Sequence, residues 1–282
     1  MSERRLPRDV PLVPVLPEGT SVKVIGLGGV GGIFARYAAM FLASLGPGVR
    51  LVLVDGDAFE PSNATRMFFS DHGNKADVTR ADLLPRFADS PLSLIAVPEY
   101  VSTDNLGRLV REGDVVVLCV DNHATRKLVN DHCGGLADVC LISGGNDGVG
   151  PDSSGVVLRG TYGNVQIYLR RQGQDASPSL VRYHPEIREP ADRLPTDKSC
   201  TDLITSVPQI LPANLMTAAA LLNALWLHLC GAMHYGELCF DIADGLMRPL
   251  PLPGPAPVVT AGAGRDDAAG GSTGGVDRPQ AG

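Results

Sequence analysis

The chain has 282 residues and a formal net charge of −7. Hydrophobic residues make up 44% and charged residues 20%, a globular mixture long enough to bury a core. The acidic balance argues against nucleic acid as a main partner, and the charged, Pro-rich start lacks the apolar run of a secretory signal.

Residues 1–20 read as an arm rich in Pro and Arg. "SVKVIGLGGVGG" follows, an apolar strand running into glycines, and "IFARYAAMFLASLG" reads as a helix closed by Gly46. "VRLVLVD" is a second buried strand, residues 75–88 a helix, and "LSLIAVPEYV" a third strand. "DVVVLCVDN", the helix "HATRKLVNDHCGGL" and the strand "DVCLISGGN" complete the alternation. Apolar strands separated by helices predict a Rossmann-like, doubly wound, mostly parallel sheet. In "GVVLRGTYGNVQIYLRR" two strand-like runs read as antiparallel C-terminal additions. Residues 172–199 are polar and Pro-containing and are expected as a long mobile loop. A long helix is expected over 207–231. The apolar stretch Ile210–Met233 is interrupted by Pro212, Asn214, Asn223 and His228, so a buried helix is expected rather than a membrane span. "GELCFDIADGLMRPLPL" closes the 21–252 domain as a strand or hairpin, and 253–282 reads as a disordered tail.

Gly26, Gly28 and Gly31 fit G-x-G-x-x-G between a strand and a helix, the context that a phosphate-binding turn needs. The helix start offers unpaired N–H groups and partial positive charge to an anion. Asp55 ends the second strand, where an acid can accept from ribose hydroxyls. These features serve NAD and ATP alike.

Arg66, Lys75 and Asn63 separate the two. A pyrophosphate is served by the glycine turn, whereas a triphosphate calls for added cations and donors. Asp121 ends the fourth strand, where it can hold Mg²⁺, cap the next helix, or do both. The six cysteines contain no C-x-x-C pair, so no zinc is expected, and a reducing cytoplasm is the expected compartment.

"GLGGVG", "VDGDAFEPSNATR", "GNKA" and "CVDNHATR", in that order, resemble the ThiF/MoeB/HesA family of ubiquitin-activating-enzyme-like adenylyltransferases. The "GNKA" spelling is most similar to PRTRC-system ThiF proteins. The resemblance spans roughly 20–250. It implies that Gly26, Gly28, Gly29 and Gly31 line ATP phosphates and that Asp55 binds ribose, with Asp57 in the same nucleotide site. It implies phosphate contacts from Asn63, Arg66 and Lys75, and Mg²⁺ on Asp121. Met67 stands where the family usually has Gln. Family members often borrow a partner's N-terminal arginine; Arg4, Arg5 and Arg8 are candidates in a homodimer. Cys200 lies on the expected crossover loop, where a thiolate assisted by Lys198 could take an acyl group from the adenylate. The implied substrate is the C-terminal carboxylate of a ubiquitin-like or sulfur-carrier protein, or of a peptide, ending in glycine. The alternatives are an NAD-dependent oxidoreductase and a catalytically silent scaffold for a ubiquitin-like partner.

Overall fold

The computed structural model describes residues 11–17, 19, 21–46, 48–151, 155–197 and 208–252. The strands are β1 (Ser21–Ile25), β2 (Arg50–Val54), β3 (Ser93–Val97), β4 (Val115–Leu118), β5 (Val139–Asn146) and β6 (Val149–Pro151). They continue as β7 (Val157–Arg159), β8 (Tyr162–Arg171), β9 (Gln174–Asp175), β10 (Tyr235–Asp241) and β11 (Leu246–Pro251). The helices are α1 (Gly29–Ala43), α2 (Lys75–Leu83), α3 (Leu106–Leu109), α4 (His123–Cys133), α5 (Pro185–Arg188) and α6 (Leu211–Leu229).

The main sheet runs β11-β10-β8-β5-β4-β1-β2-β3, with β9 added beside β8. β5, β4, β1, β2 and β3 are parallel to their neighbours in that run; β8, β10 and β11 are added antiparallel. The expected doubly wound sheet with antiparallel additions is the fold observed. β1 and β4 are buried at every position, as strands covered on both faces must be. α1, α6 and part of α2 cover one face through Phe34, Leu42, Leu221 and Leu225. The other face is closed by Leu106, Leu109, Val129 and Cys133 of α3 and α4.

Three local expectations change. The first of the two strand-like runs, β7, pairs with β6 in a separate two-stranded sheet, because β5 and β10 already occupy both edges of β8. The helix expected over 75–88 ends at Leu83 and continues as a short 3₁₀ turn over Leu84–Arg86, with Pro85 inside it. Residues 172–197, expected as a loop, carry β9, α5 and two 3₁₀ turns and bury Leu180 and Ile187. The arm's Arg4, Arg5 and Arg8, the tail 253–282, and Lys198 and Cys200 lie outside the described residues.

Strand order reverses between β1 and β4: the chain builds outward to β2 and β3 on one side and to β5 on the other. The segments leaving β1 and β4 therefore diverge toward opposite faces and open a crevice at the strands' carboxyl ends.

Candidate active site

A cleft of about 1190 Å³ fills that crevice. Its first wall is the turn after β1. Gly26 has φ +89°, a left-handed conformation open to glycine, and a Cβ there would press on Cys119 at 3.0 Å. Gly28, Gly29 and Val30 line the cleft at the start of α1, which has no side-chain cap and no acid in its first turn. Its amides are thus available to an anion. Gly31 does not line the cleft. It lets α1 close against the turn, since a Cβ there would fall 1.9 Å from the Gly26 carbonyl oxygen.

Asp55 is buried and both its oxygens take backbone N–H bonds: Leu27 N to Oδ2 at 2.6 Å and Asp57 N to Oδ1 at 2.8 Å. It ties the glycine turn to the end of β2. Burial raises its pKa, opposed by the Lys75 charge and those two amides.

The next wall comes from the segment after β2. Asn63 closes a 3₁₀ turn by accepting Glu60 N on Oδ1 at 3.1 Å, which leaves its N–H₂ group as a donor. Arg66 and Asp121 both line the cleft, and neither side chain makes a hydrogen bond or ion pair among the described residues. Lys75 opens α2, capped by Asn74, whose Oδ1 accepts Ala76 N at 2.8 Å. Its ammonium pairs with Asp57 Oδ2 at 3.0 Å, and Tyr100 OH donates to the other oxygen of the same carboxylate. Gly26, Gly28, Gly29, Asp55, Asp57, Asn63, Arg66, Lys75 and Asp121 all border this one cleft.

Asp121 is not the cap of α4. Asn122 is, accepting Thr125 N at 2.7 Å on Oδ1. The Asp121 carboxylate is exposed and free to face a ligand. Cys119, also on the wall, is half-buried, and desolvation pushes its pKa up to about 12, so its thiol stays protonated at neutral pH.

Several cleft residues escaped the sequence reading. Arg126 is 7% exposed and spans two strand ends: Nη1 donates to Ser143 Oγ at 2.7 Å, and Nη2 to Val120 O at 2.7 Å and Gly144 O at 3.0 Å. Its signal was available: it falls on the buried stripe Thr125, Arg126, Val129, Asn130, Cys133, where a charge is unusual. Arg126 Nε, His123 Nδ1 and Asn146 Oδ1 are buried atoms of cleft residues with no partner among the described residues. The far half of the cleft is polar, with Asn164, Gln166, His184 and Glu186. There His184 bridges Glu186 at 2.7 Å and Glu237 at 3.1 Å, and Asn164 Nδ2 donates to Glu237 at 2.7 Å. No local pattern announced that cluster.

Fold and cleft together define a doubly wound α/β protein whose candidate site lies at the topological switch point. The chain belongs to the ThiF family, whose model matches residues 18–233. It is similar to the adenylyltransferase and sulfurtransferase MOCS3 of Mus musculus, 41% identical over 119 residues, covering 40% of this chain and 24% of that protein. It is also similar to the heterocyst protein HesA of Trichormus variabilis, 30% identical over 118 residues, covering 41% of this chain and 42% of HesA. The chain thus spans less than half the length of these relatives. Among solved structures, E. coli MccB with ATP superposes with a TM-score of 0.59 at 16% identity, over 86% of this chain and 67% of that one. PaaA superposes with a TM-score of 0.58 at 17% identity, over 83% and 64%. These likenesses show the shared fold.

Proposed function

We propose that this protein is an ATP-dependent adenylyltransferase. Its substrate is the C-terminal carboxylate of a ubiquitin-like or sulfur-carrier protein, or of a peptide, ending in glycine. The observation that carries the reading is that Arg66 and Asp121, neither engaged by another side chain among the described residues, line the cleft that also holds the open start of α1. A fixed guanidinium fork suits phosphate oxygens, and an uncapped helix start suits the same anion.

In this reading the phosphates lie along Gly26, Gly28 and Gly29, with Arg66, Asn63 and Lys75 as donors. The carboxylate oxygen attacks the α-phosphorus, the bond to the bridging oxygen breaks, and pyrophosphate leaves with that electron pair. Cations preplaced where charge develops stabilise this transfer. The ordered donors hold the reactants in line. Asp121 fits Mg²⁺ by its chemistry: an exposed carboxylate beside the proposed phosphate subsite, with no hydrogen-bond or ion-pair partner among the described residues. When bound, Mg²⁺ neutralises charge on the phosphates. That MOCS3 is an adenylyltransferase and that MccB is solved with ATP support the choice of ATP over NAD.

Two further elements belong to the same proposal. Cys200 takes the acyl group as a thioester with release of AMP; a thiol-sensitive adduct that persists in Cys200→Ser removes this step. The chain forms a homodimer, supported by exposed Tyr37 and Met40 on α1 and exposed Leu215 and Met216 on α6, two helices that pack together. No described helix is long and apolar enough to cross a membrane.

The test is ATP–pyrophosphate exchange with glycine-terminated acceptors. Arg66→Ala and Asp121→Ala are each expected to lower the rate at least about 100-fold, in line with the loss of a transition-state donor. Unchanged exchange in both variants sinks the assignment.

A further inference from the structure

Two helices start at the switch point, and they start differently. α1 begins open, with glycine at its cap and no acid in its first turn. α4 begins filled. Asp192, 69 residues away in sequence, lays its carboxylate across the first turn: His123 N donates to Oδ2 at 2.7 Å and Ala124 N to Oδ1 at 2.8 Å. Asn122 Nδ2 donates to the carbonyl of Arg193 at 2.7 Å, while Asn122 Oδ1 serves Thr125 N and Oγ1. Charge-assisted bonds of this length are the strong class, and they satisfy the α4 donors that an external anion would use. Asp192, Arg193 and Pro195 also line the cleft, so the same clasp builds part of its wall.

A parallel sheet offers a phosphate either helix start that faces its crevice. Here Arg126 and His123 add to the attraction of α4. Arg126 is buried without a carboxylate at ion-pair distance among the described residues, and His123 carries an unpartnered buried Nδ1. Left vacant, this corner would compete with α1 for the nucleotide.

We propose that Asp192 is a positioning residue that gives the cleft its polarity: its carboxylate fills the start of α4, pins residues 192–195 as a wall, and confines phosphates to the start of α1. The inference rests on the nucleotide-binding reading of the cleft and assigns a role to a residue that touches no phosphate.

The test uses the full chain, titrated calorimetrically with inorganic pyrophosphate, with and without saturating ATP–Mg²⁺. Wild type is expected to bind one pyrophosphate, displaced by ATP. Asp192→Ala is expected to bind a second that ATP does not displace. Asp192→Glu, which keeps the carboxylate, is expected to return to one. Backbone exchange at His123 and Ala124 is expected to quicken at least about tenfold in Asp192→Ala, as cap donors lose their acceptor. If the alanine variant does not fold, the near-isosteric Asp192→Asn carries the same two measurements. A purely structural role moves the melting temperature and leaves the anion count at one; that result, or unchanged exchange at residues 123 and 124, overturns the proposal. Wild type that binds neither ATP nor pyrophosphate instead removes the nucleotide reading and the phosphate half of this one, while the amide exchange still judges the clasp.

Discussion

Lys75 Nζ lies 3.0 Å from Asp57 Oδ2, so the second cation of this cleft wall is already partnered by a carboxylate. The bond is reinforced from below, because Lys75 N donates to the Asp57 carbonyl at 2.8 Å. A triphosphate bound as proposed would share this ammonium with Asp57, whereas Arg66 is committed to no acceptor among the described residues. Asp57→Asn keeps the shape and removes the competing charge. The dissociation constant for ATP–Mg²⁺ is expected to fall by up to about fivefold, the range of a partly exposed pair worth about 1 kcal/mol or less. Calorimetry at low and high salt checks it, since the gain should shrink as salt screens the site.

His184 sits between Glu237 and Glu186, and its bond to Glu237 is the main reason its pKa rises above the ordinary 6.5, with burial opposing. A raised value stabilises the fold fully below pH 6.5 and ceases to do so as pH climbs through the folded value. The two carboxylates work in the opposite sense. Burial would raise each, yet bonds that include His184 bring Glu237 and Glu186 below their ordinary 4.5, so their support is lost as pH falls below that value. His123 is the other titrating neighbour, and its own pKa is lowered below the ordinary 6.5, first by burial and then by Arg126. The melting temperature is expected to be highest between these limits and to decline above pH 6.5. In His184→Gln the alkaline decline should flatten while the acid limb persists in part.

Much of the fold was legible because its signals are local. Valine-rich runs without alternation gave β1, β2 and β4, and "GLGGVG" between strand and helix placed the turn. Asp55, Asn63, Arg66, Lys75 and Asp121 lie within a short reach of strand ends, so topology alone carried them to one cleft. The Asp192 clasp, the His184 cluster and the pairing of β7 with β6 were not legible. Asp192 and α4 are 69 residues apart, and His184 and Glu237 are 53 apart, distances over which sequence carries no period. β7 resembled a sheet strand in composition; only the occupied edges of β8 excluded it.

Adjacent glycines in α1 are expected to respond oppositely to the same substitution. In Gly31→Ala the added methyl meets the Gly26 carbonyl oxygen at 1.9 Å, a backbone atom that cannot yield without moving the turn. Overpacking of side chains costs about 1–3 kcal/mol, and a rigid backbone partner places this variant at or beyond that upper end. In Gly32→Ala the methyl meets only the Leu27 carbonyl oxygen at 3.4 Å, an ordinary contact. The helix then gains about 0.5–1 kcal/mol from the better helix former. Urea midpoints should move down for Gly31→Ala and up for Gly32→Ala, with equal m-values. A stable, nucleotide-binding Gly31→Ala would show that the α1 start need not seat against the turn.

Arg126 sets the last expectation, because charge and geometry can be separated there. Its fork reaches Ser143 Oγ, Val120 O and Gly144 O, joining the segment after β4 to the end of β5 beneath the cleft. The fit is close on that side: a Cβ at Gly145 would lie 2.5 Å from Nη2. Lysine keeps the charge but offers one compact ammonium, which cannot bind both strand ends in the planar arrangement. Each buried acceptor left unpaired costs about 1–3 kcal/mol. Arg126→Lys is therefore expected to lose nearly as much stability as Arg126→Met, about 2–4 kcal/mol in each case if one or two acceptors go unmet. If charge alone mattered, lysine would restore most of the loss. Chemical denaturation of the two variants side by side distinguishes these outcomes, and ATP affinity measured on the folded fraction should weaken in both, since the strand ends that this fork aligns carry Asp121.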